Sequence, residues 1–413
     1  MLPVKDAESL ILSLIQPLSP QEDIEIVKLN AAVSRILAQP VTSQLDFPHW
    51  DNSAMDGYAV RFADVHECNS HNPAILEIVE EIPAGYSPKV SIDSGQAARI
   101  FTGAVMPKGA DTIVIQENTE REGNSVKILE SPEKNAFVRS RASFYKAGEE
   151  LLPAGLKIGA PEIAVLAAAQ CTELEVYRRP RVAILSTGDE LVTPEQPLQA
   201  GQIVDSNQYA LTAFVVANGC IPIPLGIVPD QPTQLKDAIA NAIQQADVVL
   251  STGGVSVGEY DYVDSILAEL GGEIAIRSVA VKPGKPLTVA TFKQAQKSCL
   301  YFGIPGNPVS ALVSCWRFVQ PALKKLSGIS GDCFPTFVKA RSRHDLRAGG
   351  KRETYLWGQL QIVEGYYEFS LAGGSHSSGN LINLAQTNGL AVVPIGINSI
   401  PSGEIVDVML IND

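Results

Sequence analysis

The chain reads as a multi-domain α/β protein, with a central doubly wound parallel-sheet domain and small β domains around it. Three observations predict this. Apolar strands and amphipathic helices alternate through residues 180–330, the pattern of a parallel sheet covered on both faces. Three of those strands end in small, Gly-bearing turns: S-T-G-D-E, S-T-G-G-V-S-V-G and G-I-P-G-N-P. Residues 44–141 and 331–413 carry short β-rich segments instead.

The elements follow in order. Residues 1–26 open with an amphipathic helix whose short apolar stretch is broken by polar residues, unlike a signal peptide. Segments Ala74–Ile82, Gln96–Phe101, Thr112–Glu117 and Ser125–Leu129 predict a small β domain over 44–141. Residues 27–43 and 142–179 flank it, include an Ala-rich helix over Glu162–Ala169, and read as one interrupted linker module. Next come a strand at Val182–Leu185, a helix at Asn207–Asn218, a strand at Ile221–Val228 and a helix at Gln234–Gln245. The last places Leu235, Ala238, Ile239, Ala242 and Ile243 on one face. A strand at Asp247–Leu250 precedes a helix holding Val263, Ile266, Leu267 and Leu270. Leu300–Gly303 then leads into a helix at Val309–Leu326, with Asn307 as N-cap, Pro308 as first helical residue and a disturbance at Pro321. Residues 331–413 predict a terminal β-barrel or sandwich.

Composition narrows the function. The chain has 413 residues, a formal net charge of −13 and an ordinary apolar fraction of 45%. A pI near 5.0 argues against nucleic acid or an anionic membrane as the main partner, and no apolar run is long enough to span a bilayer. A local basic pocket remains compatible with that charge. The six cysteines are scattered and read as reduced core residues of a cytoplasmic protein. No His/Cys ligand spacing occurs, so any metal site should use oxygen ligands, which favours Mg²⁺ over Zn²⁺.

The Gly-bearing turns should share one sheet edge, where ligands bind and helix N-termini favour anions. Asp189 and Glu190 on the first turn can hold a cation or orient water; equally, one can cap and the other be solvated. Asp261 opens the helix after the second turn, as cap, ligand or base. No G-x-G-x-x-G or phosphate-binding P-loop motif is present. Lys282 and Lys285, in V-K-P-G-K-P, form a candidate anion clamp or a solvated turn. Asp230 is a further acidic candidate or a favourable helix-start charge. The run Asp51–Ala59 is too small and polar for a core strand, and with Thr102-Gly103-Ala104 and Ser375–Gly379 it can be a surface loop or a site.

Taken in order, D-N-S-A-M-D-G-Y-A, S-T-G-D-E-L, D-S-N, S-T-G-G-V-S-V-G-E-Y-D-Y, K-P-G-K-P and G-I-P-G-N-P-V-S resemble the MoeA family of molybdopterin molybdenumtransferases, related to the E domain of gephyrin. The resemblance covers nearly the whole chain and is weakest in the last 80 or so residues. It implies a homodimer of four-domain subunits whose central domain is of the molybdopterin-binding type, with the site between the α/β domain of one subunit and the β domain of the other. The activity implied is insertion of molybdenum from molybdate into adenylylated molybdopterin, with Mg²⁺-dependent release of AMP. Implied partners are the molybdopterin adenylyltransferase and recipient molybdoenzymes. By motif, Glu190 and Asp261 would hold the cation with Asp230 close by. Lys282 and Lys285 would bind the anionic ligand, and Asp56 and Thr102 would act from the β domain. Ser186, Gly188, Asp205, Asn207, Gly253, Gly254, Ser256, Pro305 and Asn307 would line the substrate. Arg352, in K-R-E-T, and Ser377 or Ser378 match the family's anion-binding positions.

Three other readings lose ground. The related adenylyltransferase carries T-G-G-T-G where this chain has T-G-G-V-S-V-G, and lacks the flanking β domains. A receptor-anchoring scaffold would call for an attached partner domain or linker. A nucleotide pyrophosphatase of the competence-damage type would lack D-N-S-A-M-D-G-Y-A.

Overall fold

The computed structural model describes residues 1–253, 260–293 and 298–411, with backbone alone at Tyr260 and Asp261. It divides into two compact units: Met1–Gln39 with Ala154–Gly159 and Glu173–Asp413, and Pro40–Pro153 with Ala160–Thr172.

The first unit is built on a six-stranded sheet. Its strands are β1 (Arg181–Thr187), β2 (Ile221–Val228), β3 (Val248–Thr252), β4 (Glu273–Ser278), β5 (Pro286–Lys293) and β6 (Ser298–Ile304), in the order β2-β1-β3-β6-β5-β4. The pairs β1–β2, β1–β3 and β3–β6 are parallel. Strand β5 runs antiparallel to both β6 and β4. The sequence pattern predicts no strand between Gly271 and Leu300, where the structure has β4 and β5. The Pro- and Gly-rich K-P-G-K-P turn splits that stretch, which hides a hairpin-like pair behind turn residues.

Alternation along each strand explains the two covered faces. Val182, Ile184, Val248, Leu250, Leu300 and Phe302 point to one core. They meet α1 (Val4–Leu14) through Val4, Ala7 and Ile11, and α2 (Ser206–Ala217) through Leu211, Phe214 and Val215. Ala183, Leu185, Val249, Cys299 and Tyr301 point to the other. That face is covered by Leu235, Ile239, Ala242 and Ile243 of α3 (Pro232–Gln245) and by Val263, Ile266 and Leu267 of α4 (Tyr260–Glu269). Burying each Val, Leu, Ile or Phe among them contributes roughly 1.5–3 kcal/mol before the entropy cost.

The expected disturbance near Pro321 is a register change. Helix α5 (Pro308–Ser314) passes through a π-helical stretch at Cys315–Val319 into α6 (Gln320–Leu326). Proline has no N–H to donate and its ring crowds the preceding turn, so a wider turn accommodates it. Within this stretch Arg317 is buried. Its guanidinium pairs with Glu8 of α1 and donates through Nε to the Tyr355 hydroxyl at 2.7 Å.

Five strands of the C-terminal region close a barrel. They are β7 (Phe337–Ser342), β8 (Glu353–Val363), β9 (Tyr366–Leu371), β10 (Gly389–Val393) and β11 (Ile405–Leu410). The pairings β8–β9, β9–β7, β7–β11, β11–β10 and β10–β8 complete a ring. Ala340, Leu356, Leu360, Phe369, Ala391 and Val408 fill its core. Tyr355, Trp357, Leu390 and Met409 belong to the same apolar cluster as α1 and β1.

The second unit holds a six-stranded sheet. In spatial order its strands are Thr112–Ile115, Gly57–Val60, Gln96–Ile100, Ala74–Ile82, Ser125–Ile128 and Thr119–Glu122. One expectation is corrected: Gly57–Val60, the end of the small polar run, is a fully buried inner strand. Its small residues are what let it fit, since a Cβ on Gly57 would lie 2.0 Å from the Val114 carbonyl oxygen. All six cysteines carry free thiols and five are buried. Burial pushes the Cys220 thiol up to about 12, so it stays protonated at neutral pH.

Candidate active site

Three turns meet at the carboxyl edge of the first unit's parallel strands. Strand β1 ends in Ser186 and Thr187, and the turn after it holds Gly188, Asp189 and Glu190; the turns after β3 and β6 hold Gly253 and Pro305–Asn307. They are packed backbone against backbone. Gly253 has φ +91°, and a Cβ there would sit 2.2 Å from the Thr187 carbonyl oxygen; one on Gly306 would sit 3.5 Å from Gly253 Cα. Buried Thr252 donates from its hydroxyl to Ser186 Oγ at 3.2 Å. The buried Asn207 side chain donates to the Gly306 carbonyl at 2.7 Å, tying the first turn of α2 to the turn after β6.

Asp205 caps α2 and accepts from the Gln208 N–H at 3.1 Å. The Glu190 carboxylate folds over Gly188, where a Cβ would lie 2.6 Å from Glu190 Oε2. The Asp230 N–H donates to Asp189 Oδ1 at 3.2 Å, joining the turn after β2 to the turn after β1. The structure thus brings the turn bearing Glu190 against that of Asp230. Asp261 lies in the first turn of α4; its side chain, like Gly254 and Ser256, lies outside the described residues.

The expected cap at Asn307 does something else. Its side chain makes no cap bond and donates instead to Ser378 Oγ at 3.1 Å. The Val309 N–H, in the first turn of α5, donates to the Ser378 carbonyl at 3.1 Å. A loop of the C-terminal region therefore occupies a donor that the sequence reading left for an anion. Ser378 adjoins Ser377, which is exposed. His376 Nε2 sits 2.9 Å from the Ala372 carbonyl oxygen, with its ring 4.7 Å from that of Trp357.

The lysine turn is held from three sides. Val281–Lys282 pairs in parallel with Glu353 and Thr354 at the start of β8. Val279 N–H donates to the Lys285 carbonyl at 3.0 Å, and Arg352 Nη1 donates to the Val281 carbonyl at 3.2 Å. A Cβ on Gly284 would lie 2.8 Å from Ser314 Oγ of α5. Lys282 and Lys285 are exposed. Neither lysine nor Arg352 forms an ion pair among the described residues.

Asp56 and Thr102 meet within the second unit. Asp56 Oδ1 accepts from the Thr102 N–H at 2.7 Å and from its hydroxyl at 2.8 Å. These two donors, the backbone one foremost, hold the Asp56 carboxyl below the usual carboxylate range, because hydrogen bonds to the charged form favour it.

The donors suit a hard cation. Glu190, Asp189 and Asp230 supply carboxylate oxygens on adjoining turns, and the buried hydroxyl of Thr187, two residues before Asp189, has no partner among the described residues. No cluster of three His, Cys, Asp or Glu that could hold a metal ion occurs among the described residues, so these turns alone do not assemble a cation site. Thr187 was missed as a site residue although it lies inside S-T-G-D-E; its burial without a partner is a tertiary fact.

Comparison with known proteins agrees over the chain's length. Residues 2–169 match the MoeA N-terminal region (domain I and II), residues 183–325 a probable molybdopterin binding domain, and residues 339–411 the MoeA C-terminal region (domain IV). The molybdopterin molybdenumtransferase of Nostoc sp. is 61% identical, covering 97% of this chain and 92% of its own. That of Haemophilus influenzae is 35% identical, covering 85% and 86%. Among solved structures, a molybdopterin biosynthesis MoeA protein from Pyrococcus horikoshii has a TM-score of 0.82 at 30% identity, covering 100% of this chain and 99% of its own. The chain belongs to the MoeA family of molybdopterin molybdenumtransferases, enzymes of molybdenum cofactor biosynthesis.

Proposed function

We propose that this enzyme inserts molybdenum from molybdate into adenylylated molybdopterin and releases AMP. The observation that carries the reading is charge placement. In a chain of net charge −13, Lys282 and Lys285 on one turn and Arg352 bracing it form no ion pair among the described residues, beside the helix that follows Asn307. Fixed cations are worth most where a polyanion must be held and oriented.

In this reading Lys282, Lys285 and Arg352 bind phosphoryl and molybdate oxygens, with the Ser377 and Ser378 hydroxyls as further contacts. The close-packed Gly188, Gly253 and Pro305–Asn307 turns admit the substrate near backbone, with Ser186, Asp205 and Asn207 fixing their shape. Gly254 and Ser256 would continue that surface. Asp56 and Thr102 act as an ionised acceptor and its donor from the second unit. Glu190 and Asp230, with Asp261, would hold Mg²⁺. When bound, Mg²⁺ would polarise the phosphate and make AMP a better leaving group. The protein would work in the cytoplasm as a homodimer, receiving substrate from the adenylyltransferase and passing product to molybdoenzymes.

The test is incubation with adenylylated molybdopterin, molybdate and Mg²⁺. AMP should accumulate and fail to do so with Asp261→Ala of unchanged fold; no AMP from the wild type would reject the activity. Light scattering should give twice 44.1 kDa, and a monomeric mass would reject the dimer.

A further inference from the structure

We propose that Arg99, in the second unit, binds an oxyanion of the substrate beside Asp56 and Thr102. The inference rests on the reading above, in which those two residues face substrate.

Arg99 lies on strand Gln96–Ile100, opposite Tyr58 on strand Gly57–Val60. Its guanidinium carbon sits 5.1 Å from the Tyr58 ring centroid and 5.0 Å from that of Phe101. Nη2 donates to Gln116 Oε1 at 2.7 Å and Nη1 to the Gly57 carbonyl at 3.3 Å. Two aromatic rings and two neutral acceptors therefore fix its plane. A guanidinium carries five N–H donors, so its remaining donors are free of partners among the described residues.

What is missing is a direct carboxylate partner. Arg99 is half-buried, and a charge in that position is normally paired. Acidic residues outnumber basic ones 45 to 32 in this chain, yet Arg99 forms no ion pair among the described residues. Glu81 is in register with it on the adjoining strand, but pairs with Arg121 at 3.6 Å. Asp56 accepts both bonds from Thr102 and forms no ion pair with Arg99, although the Arg99 charge helps to keep it ionised. The result is an oriented, partly desolvated fork whose open donors meet no carboxylate directly, the arrangement that takes a tetrahedral oxyanion in bidentate fashion. It also resolves an electrostatic conflict: an ionised Asp56 alone would repel a polyanionic substrate, whereas Arg99 beside it lets Asp56 stay ionised while an anion binds.

The ligand is a molybdate or a phosphoryl oxygen, and kinetics separates the two. In the full chain, Arg99→Gln should raise one KM about tenfold or more, the scale of a lost charge-assisted contact. kcat should stay within about twofold, and Arg99→Lys should restore part of the loss. A rise confined to the molybdate KM assigns molybdate; one confined to the adenylylated-molybdopterin KM assigns the phosphoryl group. If both KM values match wild type, or if the loss only follows a lowered thermal midpoint, Arg99 merely knits strands and the proposal fails. Calorimetry with inorganic pyrophosphate and with molybdate separates this from failure of the proposed activity. Should the wild type release no AMP, weaker probe binding in Arg99→Gln but not in Arg121→Gln still supports the anion site. Equal binding in both variants, or none in the wild type, overturns it.

Discussion

Asp56 illustrates how one residue's protonation can be tuned without burial. Two donors from Thr102 favour its ionised form, so its folded pKa lies below the ordinary carboxylate value of about 3.9. A group of this kind contributes stability above its unfolded pKa and loses it as pH falls through the folded value. Between about pH 5 and pH 3, wild type should therefore converge in urea midpoint with Asp56→Asn, which has no such titration. A constant difference across that range would show that the two bonds do not bias the carboxyl. M-D-G-Y and F-T-G-A marked both residues as candidates in the sequence; that they bond to each other was not visible, since 46 positions separate them. Arg99 was overlooked altogether, because nothing in a local sequence tells an arginine with a direct carboxylate partner from one without.

At the scale of elements, caps and turns decide which surface each helix offers. Asp205 closes α2 by accepting from the Gln208 N–H, and losing such a cap costs about 1 kcal/mol. Asp205→Ala should lower the thermal midpoint by about 2–4 °C for a domain of this size, while Asp205→Asn, which keeps an acceptor, should recover most of it. Equal losses in both would indicate that the charge, not the cap, matters. Residues 180–270 could be read in detail because two of the strands there are apolar runs ending at glycine and the helix Pro232–Gln245 has a one-sided stripe. The strands at 273–278 and 286–293 escaped for the opposite reason: they surround the prolines and glycine of K-P-G-K-P. Strand Gly57–Val60 escaped because an inner strand pressed against neighbouring backbone needs small residues, which imitate a loop.

In the larger unit, one buried ionic contact joins elements from both ends of the chain. Glu8 of α1 pairs with Arg317 before α6, and Arg317 also reaches Tyr355 of β8. Burial alone would pull the Arg317 guanidinium's pKa down; Glu8 and Tyr355 more than offset this and hold it raised. Removing one member strands the other's charge, at a cost of about 3–5 kcal/mol. Arg317→Met should therefore destabilise strongly in urea titration, and the double variant Glu8→Leu, Arg317→Met much less. Additive losses would mean the two charges do not depend on each other. Closure of the barrel was foreseen only in outline, since a ring is set by pairings between distant strands that alternation within each strand cannot specify. The bond from the Val309 N–H to the Ser378 carbonyl gives the molecule an internal clock. That amide can trade its hydrogen for deuterium only while the serine loop is lifted from α5, so its exchange rate reads how often the loop leaves. A ligand gripping Ser377 or Ser378 must slow it, registering occupancy at a backbone atom the ligand never touches.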